Sequence, residues 1–346
     1  MENKTSESIK KHIIFISHAS VKKETATLID DVSLIANRGE ILGIIGESGA
    51  GKSTTVKVLT GQIKPNKGFA RIAGYDVFLD RANAILKMGY VPQMGGLDDL
   101  YTEFSALKNA YYFGKMYGLS KPEIEKTAKQ ILGILGFSEE LMKKPVKNLS
   151  GGEKKRVSIC VGMIHNPEVL ILDEPTTGLD AHLCTEVLNY LKILNKTLHT
   201  TIVMVSHDLE TAQYVDRLAI LDRGKVIEFS TPKTLIDLFF PSQGRTILMT
   251  FPLVTTTLLD KLKEIEMVQY VLKVGRHAVK IFSVGIPENL PDLIQAIQAK
   301  GLKFQGFSID HATFLDYFRL RMRKDTKKIE PPSQIKTESD TNKEAR

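Results

Sequence analysis

The sequence has no tryptophan and only two cysteines, Cys160 and Cys184. Two isolated thiols supply neither a disulfide framework nor metal-ligand spacing, and they fit a reducing compartment. Long apolar runs are also missing. Nothing approaches the roughly 20 residues that a membrane-crossing helix needs. The most apolar stretches, Ile41–Ile45 and Val169–Leu172, have only the length of a strand. The first residues, Met1–Ser8, are polar and lack a signal-peptide core. A role in transport would therefore be expected to need another chain to cross the membrane. No internal repeat is visible.

What is present fits an ordinary globular chain. Of 346 residues, 42% are hydrophobic and 25% charged, enough for about two domains. The net charge of +7 lies mostly at the ends. Arg319–Arg346 holds nine Lys/Arg against five Asp/Glu, and Met1–Thr27 holds five against three. No aromatic residue follows Phe318 to stack on bases, so the basic end reads as a solvated tail and no nucleic acid partner is expected.

Residues 12–16, 30–35, 41–45, 69–72 and 88–91 read as strands. Apolar positions at helical spacing then fill Glu103–Tyr117 and Glu123–Leu135, a helical insert spanning about 95–165. Alternation returns with a strand at Val169–Leu172, a helix at Leu183–Asn195 and a strand at Thr201–Val205. Strands separated by helices predict a buried, largely parallel sheet. Leu218–Leu221 and Lys225–Phe229 flank a turn at Asp222-Arg223-Gly224, and Pro241–Gly244 marks a boundary. Beyond it, residues 245–322 run strand–helix–strand–strand–helix–strand, the ferredoxin-like order, before a last helix. Residues 323–346 are expected to be a disordered charged tail.

Three motifs carry chemistry. Gly46-Glu47-Ser48-Gly49-Ala50-Gly51-Lys52-Ser53-Thr54 joins a strand to a helix and fits the phosphate-loop pattern. Its glycines let backbone N–H groups approach phosphate oxygens. The helix start adds free N–H groups, Lys52 can reach the β- and γ-phosphates, and Ser53 can ligate Mg²⁺. Val169-Leu170-Ile171-Leu172-Asp173-Glu174 is an apolar strand ending in two acids. In a parallel sheet that end faces the ligand crevice, where Asp173 can assist Mg²⁺ and Glu174 can act as general base on water. Leu149-Ser150-Gly151-Gly152-Glu153 precedes a helix. Ser150 and Glu153 match a capping box, but two glycines at a helix start also suit a second anion site.

Together with Gln93, Gly178-Leu179-Asp180 and His207, these motifs resemble the ABC ATPase family in order and spacing over about residues 10–237. There they are the Walker A loop, Q-loop, signature, Walker B strand, D-loop and switch histidine. On residues alone, Gln93 could be a turn residue, Asp180 a helix cap and His207 a loop histidine. The resemblance implies an α/β P-loop NTPase domain over 10–240 with a helical subdomain, followed by a small α+β ferredoxin-like domain over 245–322. It implies ATP hydrolysis with Mg²⁺ in a head-to-tail dimer of two copies. Each ATP would lie between Gly46–Thr54 of one copy and Ser150, Gly151 and Gly152 of the other. Gln93 would reach the Mg²⁺ and nucleotide and link them to the helical insert, Asp180 would communicate across the dimer, and His207 would contact the γ-phosphate. The partner would be an integral membrane permease, with this chain peripheral on the cytoplasmic face of the membrane.

Residues 245–322 and Leu97–Leu119 resemble the drug- and lipid-exporter branch, which favours export. An importer ATPase with a regulatory domain, and a soluble ABC ATPase working on nucleic acid or ribosomes, are the alternatives. One departure stands out. The family stacks an aromatic residue on adenine upstream of the Walker A loop, yet His18–Thr27 contains none, and Phe15 lies inside a strand pattern. Selectivity for ATP over GTP is therefore expected to be modest.

Overall fold

The computed structural model describes residues 12–24, 26–93 and 100–322. The charged tail predicted for 323–346 and the start of the helical insert at 95–99 lie outside the described residues. The chain divides between Thr231 and Pro232 into two compact units.

The first unit contains two sheets. Strands β3 (Ile41–Ile45), β6 (Met88–Val91), β7 (Val169–Asp173), β8 (Thr201–Ser206) and β9 (Arg217–Asp222) run parallel, and β10 (Lys225–Ser230) adds an antiparallel edge. Their order is β10-β9-β3-β8-β7-β6. These strands are apolar on both faces because both faces are covered. Ile44, Ile171, Val203 and Val205 enter one core, while Ile41, Leu170, Leu172, Ile202 and Met204 enter the other. That alternation follows from the two-residue period of a strand.

The expectation of a largely parallel sheet omitted a second layer. Strands β1 (Ile14–Lys23), β2 (Ala26–Ala36), β4 (Lys67–Ile72) and β5 (Tyr75–Asp76) form a separate antiparallel sheet, ordered β2-β1-β4-β5. It shares the first core with helix α1 (Lys52–Leu59) and the parallel strands. Helix α2 (Arg81–Lys87) connects the layers ahead of β6.

The second core belongs to the helical insert. Helices α3 (Ala106–Met116), α4 (Lys121–Ile134), α5 (Glu139–Lys143) and α6 (Gly151–Met163) pack there with α7 (Ala181–Leu198). Each starts on a serine or aspartate that accepts a bond from an early helical N–H: Ser105, Ser120, Ser138, Ser150 and Asp180. These oxygens satisfy donors that the first helical turn leaves unpaired. Helix α6 is held close to β6, since a Cβ on Gly89 would stand 2.1 Å from the Gly162 carbonyl oxygen.

In the second unit α8 (Pro232–Phe239) precedes β11 (Arg245–Thr250), α9 (Thr256–Lys263), β12 (Val268–Lys273), β13 (Ala278–Ser283), α10 (Leu290–Ala299), β14 (Gly306–His311) and α11 (Phe314–Arg321). The sheet is antiparallel with order β12-β13-β11-β14, the ferredoxin-like arrangement. Ile247, Met249, Val279 and Ile281 face Leu262 of α9 and Leu293 and Ile297 of α10.

Helices α8 and α11 serve the other face, where Phe240 stacks on Phe282 at 4.4 Å and Phe239 meets Tyr270 and Tyr317. The buried Lys280 ammonium bonds Asp316 at 2.9 Å and pairs with Asp310 at 3.0 Å. The unit boundary thus falls earlier than the Pro241–Gly244 punctuation, because the aromatic end of α8 packs on the second sheet.

Candidate functional site

Strand β3 ends at Ile45, and the loop Gly46–Gly51 leads into α1. Gly46 cannot be replaced without movement: a Cβ there would stand 2.4 Å from the Leu221 carbonyl oxygen. Gly51 has φ of +102°, and its Cβ would press on Ile29 and Leu28. Glu47, Ser48, Gly49 and Ser53 are exposed, Thr54 is half-buried, and Ala50 is buried beneath the loop. The loop therefore opens outward around a cleft of about 340 Å³, lined by Thr27, Leu28, Gly49, Gly51, Lys52, Ser53, Thr54, Arg223 and Gly224.

Lys52 folds back over this loop, donating to the Gly46 and Glu47 carbonyls at 2.8 and 3.0 Å. Burial lowers its pKa, opposed by the charges of Glu174 and Asp173. The two acids are thus close enough to act on Lys52. Asp173 closes β7, and burial pushes its carboxyl upward, as does the neighbouring Glu174, against the pull of Lys155 and Lys52. Its Oδ1 is buried without a hydrogen-bond partner. A buried oxygen of this kind is costly unless something else satisfies it. A hard cation that takes oxygen ligands would satisfy it.

Glu174 sits in the left-handed region, with φ of +51°. That conformation is uncommon for a side chain with a Cβ and turns the chain as β7 ends, so the adjacent acids diverge. The Glu174 carboxylate meets His207 Nδ1 at 2.7 Å and accepts from Thr177 Oγ1 at 3.1 Å. His207 is itself largely exposed, with side-chain exposure of 54%, against 9% for Glu174. The histidine can therefore contact both the acid and an outside ligand.

Gln93 follows β6 and is exposed. The preceding residue is anchored, since Lys155 Nζ donates to the Pro92 carbonyl at 3.2 Å. The signature occupies a different place. Ser150 and Glu153 form a reciprocal capping box at the start of α6, so the helix-cap reading of the sequence is correct in the structure. Gly151 and Gly152 lie against Leu179 and Leu183, beside Asp180, which caps α7 through the Leu183 N–H at 3.0 Å. Among the described residues no hydrogen bond or ion pair joins Ser150–Gly152 to Gly46–Thr54.

Lysine 52, Asp173, Glu174 and His207 are therefore one constellation, and Ser150, Gly151, Gly152 and Asp180 another. Sequence reasoning missed Thr177, Lys155 and Arg223. Thr177 lies three residues after Glu174 and was within reach of that reasoning. Lys155 was not, because a lysine in a charged helical run reads as solvated, yet it is only 1% exposed. Phe15 is occupied elsewhere, packing on Phe69 at 5.8 Å, and among the described residues no aromatic side chain lines the cleft.

A glycine loop at a helix start, set beside an acid-ended parallel strand, defines a P-loop nucleotide-binding unit. The family model described as ABC transporter matches residues 29–177. The chain is 36% identical over 210 residues to the linearmycin resistance ATP-binding protein LnrL of Bacillus subtilis, covering 60% of this chain and 66% of that protein. It is 33% identical over 242 residues to the uncharacterized ABC transporter ATP-binding protein YhcH of Bacillus subtilis, covering 67% of this chain and 77% of that one.

A methionine import ATP-binding protein, MetN of Corynebacterium diphtheriae, is 33% identical over 60% of this chain and 62% of its own length. The match thus spans just under two thirds of the linearmycin and methionine relatives. Among solved structures, cbiO1 from Clostridium perfringens, part of the cbiONQ transporter complex, has a TM-score of 0.60 at 29% identity, covering 65% of this chain and 91% of that one. A dimeric structure of the cassette MJ0796 has a TM-score of 0.54 at 26% identity, covering 63% and 98%. The chain belongs to the family of ABC transporter ATP-binding proteins. Among the described residues no helix is long and apolar enough to cross a membrane.

Proposed function

We propose that this chain binds and hydrolyses MgATP as the energy-supplying subunit of an ABC transporter, with a separate integral membrane permease. Two copies would bind two ATP molecules head to tail at the cytoplasmic face of the membrane. The observation that carries the reading is the convergence of Lys52, Asp173, Glu174 and His207 beside an outward-facing phosphate loop.

Each residue has a physical task. The loop N–H groups and the start of α1 would hold the β- and γ-phosphates, with Lys52 leaving its two carbonyl partners to meet them. Ser53 and Asp173 would hold Mg²⁺, with Gln93 approaching the same cation. When bound, the ion neutralises charge on the phosphate oxygens. Glu174 would orient and polarise the attacking water, held in place by Thr177 and His207. His207 would sense the γ-phosphate from its exposed side. Ser150, Gly151 and Gly152 would offer the start of α6 to the nucleotide of the second copy, and Asp180 would meet that copy nearby. Hydrolysis removes the γ-phosphate contacts and releases the closed dimer.

Export is the direction favoured. The linearmycin resistance relative and the exporter-like features of Leu97–Leu119 and residues 245–322 support it. The methionine import relative keeps import as the second reading. A six-helix permease co-purifying without a solute-binding protein would support export, and a co-purifying binding protein would overturn it.

The catalytic assignment is tested with Glu174→Gln. ATP binding should persist while turnover falls by roughly 1,000-fold, the scale of losing a general base. Turnover within a few-fold of the unaltered protein would overturn the role of Glu174.

A further inference from the structure

The second unit has an open sheet edge unlike the others. Strand β14 pairs with β11 on one side, and among the described residues nothing pairs with its other side. Natural edges are usually blunted by irregular register, charge or brevity. Here β2, β10 and β12 each carry a register irregularity, and the remaining edges, β5 and β6, are only two and four residues long. The β14–β11 ladder runs from Gly306 to His311 without one. Among the described residues, Phe307 and Ile309 are the large apolar side chains that a strand leaves exposed, at 45% and 49%.

Their backbone also faces outward. The Ala312 N–H donates to the Gly244 carbonyl at 2.7 Å, and Ala312 lies next along from the His311–Arg245 pair. Hydrogen-bonded positions alternate along an antiparallel strand. Gly306, Ser308 and Asp310 therefore bond toward β11, whereas Phe307 and Ile309 present their N–H and C=O groups to the open side. Phe307 and Ile309 oppose Met249 and Ile247, so both side chains lie on the sheet face that carries α9 and α10.

We propose that β14 is a self-association edge whose occupant is β14 of a second copy of this chain. One register sets the apolar residues of both copies against each other. With the twofold axis through Ser308, Phe307 of each copy stands opposite Ile309 of the other. These are the residues with outward backbone groups, so each pair exchanges two hydrogen bonds, four in all across the axis. An aromatic opposite a β-branched residue is a favourable cross-strand pair. Shifting the axis by half a residue would set Phe307 against Asp310 and lose both apolar pairs. The contact joins two four-stranded sheets into one and has the twofold symmetry of a two-nucleotide dimer. It needs no nucleotide and is independent of the ATP-held contact proposed above.

The test is sedimentation of the full chain without nucleotide at tens of micromolar protein. The unaltered chain and Lys52→Ala should both form dimers. Ile309→Lys, checked for folding by circular dichroism, should raise the dimer Kd by more than about tenfold, as an edge lysine facing an apolar partner must. Phe307→Lys is the second variant should that protein misfold. Under mild oxidation Ser308→Cys should give a symmetric 308–308 disulfide, mapped by mass spectrometry, since the axis residues form the closely spaced pair. A nucleotide-free monomer, an unchanged Kd in Ile309→Lys, or no 308–308 link would overturn the proposal. Dimers appearing only with ATP would sink the edge and leave the nucleotide-held dimer standing, whereas edge dimers with no response to ATP would do the reverse.

Discussion

Two helix starts in the first unit look alike in sequence and differ in structure. Helix α1 follows a glycine-bearing loop and α6 opens on two glycines, and both leave N–H groups pointing away from the helix. At α1 the chain completes the site by itself. Lys52 is held on two loop carbonyls, the acids of β7 stand nearby, and Leu28, Leu221 and Gly224 crowd the glycines from behind. At α6 the chain supplies a cap and little else. The Ser150 hydroxyl is engaged with Glu153, and Gly151 and Gly152 rest on Leu179 and Leu183. One wall thus gathers a cation and two acids around a glycine loop, whereas the other offers a capped helix start. The proposed head-to-tail dimer would set the two walls across one nucleotide.

The difference can be broken from either side. The largest effect on binding is expected at the finished wall: Lys52→Ala should weaken ATP binding by about 100-fold, the scale of a charge-assisted contact with phosphate, read by equilibrium binding. Near-normal binding would remove the lysine from the site.

Altering the open wall should separate binding from turnover. Gly152→Asp puts a carboxylate at the start of α6. Binding of ATP to the single chain should stay within about twofold while turnover falls by tens-fold, because donors aimed at developing charge are lost only in the assembled site. Equal losses in both would mean that α6 serves its own chain's nucleotide.

The smallest effect concerns the base. Among the described residues the cleft offers Thr27 and Leu28 but no ring, so GTP should replace ATP within about tenfold in kcat/KM, the range expected when no hydrogen-bonded readout exists. A preference for ATP above about 100-fold would require a base contact that these residues do not make.

Much of this was legible in the sequence for a physical reason. Parallel strands buried on both faces must be continuously apolar, so β3, β7 and β8 announced themselves. The phosphate loop was legible because two of its positions admit little but glycine: Gly46, pressed on the Leu221 carbonyl, and Gly51, in the left-handed region against Ile29. The antiparallel layer was less so. The β1–β2 ladder is interrupted by irregularities, which destroy the strict alternation that marks a half-buried strand. Helix α8 is hard to place from sequence for another reason. Its apolar face, ending in Phe239 and Phe240, shows no sign in sequence of which sheet it will cover. Lys155 stayed hidden because periodicity does not reveal a cation whose carbonyl partner, at Pro92, lies far away along the chain.

The account depends on ATP being the bridge between a finished wall and an open one on separate molecules. Analytical ultracentrifugation of Glu174→Gln with and without MgATP addresses this directly. The predicted result is added self-association that requires both the nucleotide and Mg²⁺ and disappears in the Gly152→Asp background. Sedimentation unchanged by MgATP, with binding of ATP confirmed in the same sample, would contradict it.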